Sequence, residues 1–240
     1  MPNSLQGKVI DLSQPIYSGM PVYKGHLETV IWTHVTHEQT APAFDGGFSY
    51  QTRGITLCDH GPTHVDAICH FDPSPDAASV DVMPLELFCG PATCIDISAT
   101  PPGEYVTAAA LDDALSRAAV ELVPEMILLL HTGTYERCGG TAEYVSNYPG
   151  LDGDASQWLL DRRVKSFGVD SPSPDLPASR TYPCHMMCRA NGIHHYENLA
   201  NLSSVVGRRF TFVALPLAIR GGTGSPVRAV AFLEGAGTSC

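Results

Sequence analysis

The sequence predicts an α/β fold, built as a mixed sheet or partial barrel with outer helices. Three observations carry that expectation. Apolar runs rich in β-branched residues recur along the whole chain, and two segments between them carry apolar stripes at helical spacing. The first strands follow one another without helices between them, which a simple doubly wound sheet does not do.

Taken in order, strands are expected at Val9 to Leu12, Val30 to Val35, Phe48 to Leu57, Thr93 to Ile97, Met126 to His131, Ser166 to Val169, Phe210 to Ile219 and Val227 to Leu233. The run MILLLHTG is almost continuously apolar, as a strand covered on both faces must be, and SFGVDSP ends in turn residues common at a sheet's rim. Thr107 is placed to cap a helix over AAALDDALSRAAV and Asp154 one over ASQWLLDRRV. A short helix over CHMMCRANG should end at Gly192. Neither an internal repeat nor a linker divides the chain, so residues 1–240 read as one domain.

The balance of 14 basic against 25 acidic residues gives a net charge of −11. Such a chain repels polyanions, which argues against nucleic acid or an anionic membrane as partner and favours a small-molecule substrate. No stretch reaches the roughly 18 apolar residues of a membrane span, and the opening MPNSLQGKVIDLSQPI has no signal-peptide core, so a cytoplasmic location is expected. The eight cysteines are then expected to be reduced thiols, with Cys184 and Cys188 as small core residues.

The informative segment is DHGPTHVDAICHF. His60 and His64 lie four apart, a spacing that brings two imidazoles to one ion on a helical turn or tight loop, and Asp66 adds a hard oxygen ligand. Imidazole with carboxylate suits zinc or manganese. Gly61-Pro62 should keep the start of the segment irregular, with a helix beginning near Thr63. His70, six residues beyond His64, is free to act as general acid or base, and a third ligand to the same ion is the competing reading. A structural zinc site is the weaker metal reading, because such sites are mostly rich in cysteine.

This segment resembles the H-x-G-T-H-x-D-x-P-x-H pattern of the putative-cyclase family of metal hydrolases, which includes bacterial kynurenine formamidases and isatin hydrolases. Pro62 stands in place of the pattern's Gly and Ile68 in place of its Pro. His185 in YPCHMM and Glu197 in ENLANL resemble the family's second metal-binding stretch, and similarity continues through VIDLSQPI, LLHTGT, FGVDSPSPD and LPLAIRGGTGSPVRAVAF. The resemblance implies a swivelling β/β/α fold in a homodimer or homotetramer. It implies two divalent ions per subunit, with His60 and His64 on one, His185 on the other, and Asp66 and Glu197 touching both. It further implies hydrolysis of an amide C–N bond by metal-activated hydroxide, with His70 carrying the proton. A lactone or ester hydrolase and a non-catalytic metal-binding relative are the alternatives.

At the entrance the family's P-V-W-P-G-D segment reads Pro21-Val22-Tyr23-Lys24-Gly25-His26. Tyr23 is therefore expected against the substrate, joined by Phe48 and Tyr50 from the insert HEQTAPAFDGGFSY, with core packing as the alternative for these aromatics. Of the remaining histidines, His194 and His195 are expected in surface or hydrogen-bonded roles, because neighbours in sequence point apart. His131 is expected to be a satisfied core residue. The run GGTGSP reads as a turn bordering the site, and no G-x-S-x-G elbow is present for serine catalysis.

Overall fold

The computed structural model describes residues 8–233; residues 1–7, which open the chain, and 234–240, including Cys240, lie outside the described residues. In chain order the strands are β1 (Lys8–Asp11), β2 (Val30–Val35), β3 (Thr52–Thr56), β4 (His64–Asp66), β5 (Cys89–Asp96), β6 (Tyr105–Val106) and β7 (Ile127–His131). They continue as β8 (Gly150–Leu151), β9 (Ser166–Val169), β10 (His195–Glu197), β11 (Arg209–Val213), β12 (Gly224–Pro226) and β13 (Val230–Leu233). The helices are α1 (His37–Thr40), α2 (Ile68–Phe71), α3 (Ala108–Ala118), α4 (Thr134–Cys138), α5 (Gly153–Asp161) and α6 (Pro183–Asn191).

Nine strands make one mixed sheet in the order β1-β13-β11-β5-β7-β9-β10-β4-β12. Its centre, β5 to β10, is parallel, and its flanks are antiparallel. The sheet curls so far that its two flanks meet. Leu12, just past β1, donates to Ala229 O on one side and accepts from Ala200 N–H on the other, both at 2.9 Å.

The unbroken apolar run of β7 has a direct explanation. Ile127 and Leu129 enter one core with Leu12, Val65, Tyr196 and Phe212. Leu128 and Leu130 face the other, beneath α3, α5 and α6, among Leu111, Trp158, Phe167 and Met187. Alternate side chains of one strand thus serve two cores, and each buried leucine contributes about 1.5–3 kcal/mol of transfer free energy.

Thr107 caps α3 and Gly192 ends α6 in the left-handed region, as the sequence predicts. The cap of α5 is Asp152, not Asp154: the Asp152 carboxylate accepts from Ala155 N at 2.7 Å, while Asp154 sits in the first turn, where its charge suits the helix dipole. The helix expected near Thr63 is instead strand β4, because backbone pairing on both sides outweighs local preference. The GGTGSP turn also ends in a strand, β12, which lies on β4. The strand expected over Phe48 to Leu57 shortens to β3, which pairs with β2 as a separate two-stranded arm. On that arm Trp32 covers Gly54, where a Cβ would come within 2.2 Å of the indole. The described cysteines are all free, and Cys184 and Cys188 are buried core residues. No helix among the described residues is long and apolar enough to cross a membrane.

Candidate metal centre

The site stands on two adjacent short strands. In β4, His64 and Asp66 share one face while Val65 turns into the core; in β10, His195 and Glu197 share the corresponding face while Tyr196 turns into the core. Glu197 lies directly opposite His64 in the register. The loop before β4 delivers His60, α2 delivers His70, and α6 delivers His185. The structure thus brings His60, His64, Asp66, His70, His185 and Glu197 together.

Each carboxylate is shared between two groups of imidazoles. Asp66 Oδ1 lies 2.7 Å from His60 Nδ1 and 3.2 Å from His64 Nε2. Its other oxygen, Oδ2, faces His195 Nε2 at 3.3 Å and His185 Nε2 at 3.6 Å. Glu197 divides the same way, with Oε2 3.4 Å from His64 Nε2, and Oε1 3.3 Å from His195 Nε2 and 3.7 Å from His185 Nε2. Two donor sets result: His60, His64 and Asp66, and Asp66, His185, His195 and Glu197.

Hydrogen bonds behind the rings fix which nitrogens face inward. Pro62 O can only accept, so His64 Nδ1 at 2.9 Å carries the proton and the buried Nε2, which has no hydrogen-bond partner, is turned to the carboxylates. The Thr223 hydroxyl donates to Asp59 Oδ2 at 2.8 Å and accepts from His60 Nε2 at 2.9 Å, leaving His60 Nδ1 toward Asp66. His185 Nδ1 lies 2.6 Å from the fully buried Asp175 carboxylate. Such partners orient metal-ligating histidines. Gly224 completes the frame, since a Cβ there would approach His60 Cε1 to 2.7 Å.

The electrostatics demand positive charge. Burial opposes ionisation of Asp66, yet His195, His185, His60 and His64 hold its pKa well below the ordinary value. Burial and Asp66 both raise Glu197, but His195 and His64 pull it down to about 2. Burial disfavours the cations of His64 and His195; Asp66 and Glu197 nevertheless push the former up to about 10, and Cys188 and Asp66 do the same for the latter. Two buried anions ringed by imidazoles fit divalent cations, which displace the ring protons when they bind.

His70 differs. About a third of its side chain is exposed; its Nε2 is 3.8 Å from Asp66 Oδ2, and its ring packs on His60 with centroids 3.9 Å apart. Burial and then His60 lower its pKa from the ordinary imidazole value to about 4, so the ring is uncharged at pH 7. It opens on a cavity of about 340 Å³, a size typical of small-molecule sites. Tyr23, His26, Phe71, Tyr182 and Met186 wall the cavity, and His60, His185 and Glu197 lie at its base. The Tyr23 and Tyr182 hydroxyls meet at 3.2 Å across it.

Phe48 and Tyr50 are not brought to the cavity. They stand exposed with Phe44 in an aromatic cluster on the arm, because residues 44–50 form a loop that Thr40 Oγ1 pins through Tyr50 N and O. Of the surface or hydrogen-bonded roles expected for His194 and His195, the surface role is corrected: both are buried, His194 against Phe88 and Tyr196, and His195 inside the donor cluster with Cys188 Sγ and Glu197 Oε1 as its hydrogen-bond partners. Sequence reasoning gave no role to Thr223, Asp59 or Asp175, although each lies in a segment it singled out: Asp59 beside His60, Thr223 in the GGTGSP turn, which comes from 163 residues away, and Asp175 ten residues before His185.

His131 ends β7 between Asp96 at 3.1 Å and Glu136 at 3.4 Å, away from the cavity. Burial lowers its pKa, but Glu136 and Asp170 outweigh this and raise it to about 9. A raised folded-state value adds stability that is complete below the unfolded value near 6.5 and lost as pH rises through 9. Urea unfolding should therefore find His131→Gln less stable than wild type by about 1–2 kcal/mol at pH 6, discounting for the exposed Glu136, and the gap should close by pH 10.

A model of the putative cyclase family matches residues 10–176. Kynurenine formamidase from Bacillus mycoides (strain KBAB4) is 31% identical over 221 residues, 92% of this chain and 95% of that protein. The enzyme of the same name from Bacillus cereus (strain ATCC 10987 / NRS 248) is 30% identical over the same shares. Among solved structures, isatin hydrolase A from Ralstonia solanacearum superposes with a TM-score of 0.82 at 26% identity, over 95% of this chain and 92% of that one. An isatin hydrolase bound to the product analogue thioisatinate gives 0.83 at 22% identity, over 95% and 93%, a likeness of fold.

Proposed function

The chain belongs to the putative cyclase family, and from that premise we propose that it is a metal-dependent hydrolase of amide C–N bonds in small aromatic or cyclic compounds, aryl formamides or lactams such as isatin. The observation that carries this reading is the pair of shared carboxylates, the buried Asp66 and Glu197, the latter at the base of a cavity on which an uncharged His70 opens. The names of the relatives, a formamidase and an isatin hydrolase, support the substrate class.

His60, His64 and Asp66 would hold one ion, and Asp66, His185 and Glu197 a second, zinc or manganese in either place. Ions held there supply a Lewis acid for the acyl oxygen and acidify water toward neutral pH. His70 accepts a proton from the attacking water and returns it to the nitrogen of the breaking C–N bond, so that amide and water become acid and amine. Tyr23, Phe71 and Tyr182 hold the flat substrate and exclude bulk water. A cyclic amide opens by the same transfers, its nitrogen remaining tethered.

Assays of one metal-loaded preparation with an aryl formamide, isatin and a lactone should find amide hydrolysis. Turnover of the lactone alone would replace this reading with esterolysis, and tight metal binding without any acyl hydrolysis would replace it with a binding role. Tyr23→Ala should raise KM for an aromatic substrate about tenfold with a smaller change in kcat, since one aromatic contact is worth about 0.5–1.5 kcal/mol beyond the buried area. Steady-state kinetics with an aryl formamide check it.

A further inference from the structure

We propose that His195 is a protein ligand of the second ion, closing around it a four-donor set with Asp66, His185 and Glu197. The inference rests on the two-ion reading above and goes beyond it, because it changes how the two positions divide their work.

The separations support ligation. Zinc bonds to nitrogen and oxygen of roughly 2.0–2.1 Å require donors of a tetrahedron to lie roughly 3.3–3.4 Å apart. His195 Nε2 is 3.3 Å from both Asp66 Oδ2 and Glu197 Oε1, closer to that value than His185 Nε2, at 3.6 and 3.7 Å from the same atoms. All four donor atoms lie within 4.8 Å of one another. The ring is also held for the task. It stacks between Phe167, with planes 12° apart, and Phe71, 17° apart, and it is fully buried. Its Nδ1 faces Cys188 Sγ at 3.6 Å, on the same helix, α6, that carries His185. A proton on Nδ1 shared with that sulfur leaves the Nε2 lone pair directed at the two carboxylates, as His64 presents its own.

Position then separates the two sets. Four protein donors at Asp66, His185, His195 and Glu197 make a closed set, as in sites that hold structure. The set of His60, His64 and Asp66, with Glu197 Oε2 3.4 Å from His64 Nε2, lies against His70, the side from which water or the acyl oxygen would arrive. His195 therefore makes the second position an anchor that fixes Asp66 and Glu197.

The test measures zinc stoichiometry and affinity for the full chain, with His195→Leu and His185→Leu beside wild type. Leucine keeps apolar volume between the two phenylalanines. The expected result is that both variants bind the second zinc at least tenfold more weakly while the first remains. Binding of a single zinc by wild type overturns the two-ion reading itself, and retention of both ions at wild-type affinity in His185→Leu overturns the four-donor set. Loss of one ion in His185→Leu with unaltered binding in His195→Leu overturns the role of His195 alone. Wild type loaded with cobalt(II) keeps the question open to decision should a variant misfold. Four paramagnetically shifted, exchangeable imidazole N–H resonances, all retained in His70→Ala, are expected in its proton NMR spectrum; three overturn the inference.

Discussion

Replacing His70 with alanine should lower kcat by about 10²–10⁴-fold, the usual contribution of a positioned acid–base group, with the metal content of the chain unchanged. His70 is the histidine of the cluster most open to the cavity, a third exposed, and its closest approach to a carboxylate is 3.8 Å. His60, His64 and His195 instead approach carboxylate oxygens at 2.7 to 3.3 Å. The substitution therefore removes the proposed proton carrier and leaves the geometry of the donor cluster standing. Metal analysis beside single-turnover kinetics decides the matter. If metal is lost along with turnover, His70 is itself a ligand and its assignment to proton transfer is wrong.

Asp66→Asn should be at least as damaging, by a different route. Both oxygens of Asp66 are engaged, one with each group of imidazoles, and the amide keeps the shape while giving up the charge and one of the two acceptors. The imidazoles around it then lose their common counter-charge. Metal content should fall below one ion per chain and hydrolysis below detection. Thermal unfolding gives an independent reading. An ion at a thousand times its Kd stabilises the folded state by about 4 kcal/mol, so the wild-type midpoint should climb with added zinc or manganese and that of Asp66→Asn should barely move.

The candidate donors were legible from residue type and close spacing: His60 in the loop and His64 and Asp66 on one face of β4 fall on one spot because the chain turns at Gly61-Pro62. The backbone itself was not legible. β4 is three residues long, and only pairing with β10 and β12, distant in sequence, makes it a strand. The strand β10, equally short and not expected from the sequence, hid His195. With Glu197 on a strand, a period of two puts residue 195 beside it and sends 194 and 196 to the other face, as the burial of His194 against Phe88 confirms. The long two-faced β7 and the Thr107 cap were plain, because run length and capping chemistry are local signals. Phe48 and Tyr50 misled for the converse reason: aromatic residues near a cavity in sequence say nothing of which way a short arm carries them.

The double pairing of β4 also governs how the molecule breathes. Amides locked between two neighbours exchange with solvent only when a large part of the sheet opens, whereas those of the β2–β3 arm need only local fraying. In hydrogen–deuterium exchange, peptides covering 64–66 and 195–197 should take up deuterium late, with those of the other interior strands, and those covering 30–56 first. With that hierarchy the exposed arm can open while His64, Asp66, His195 and Glu197 stay held by paired strands.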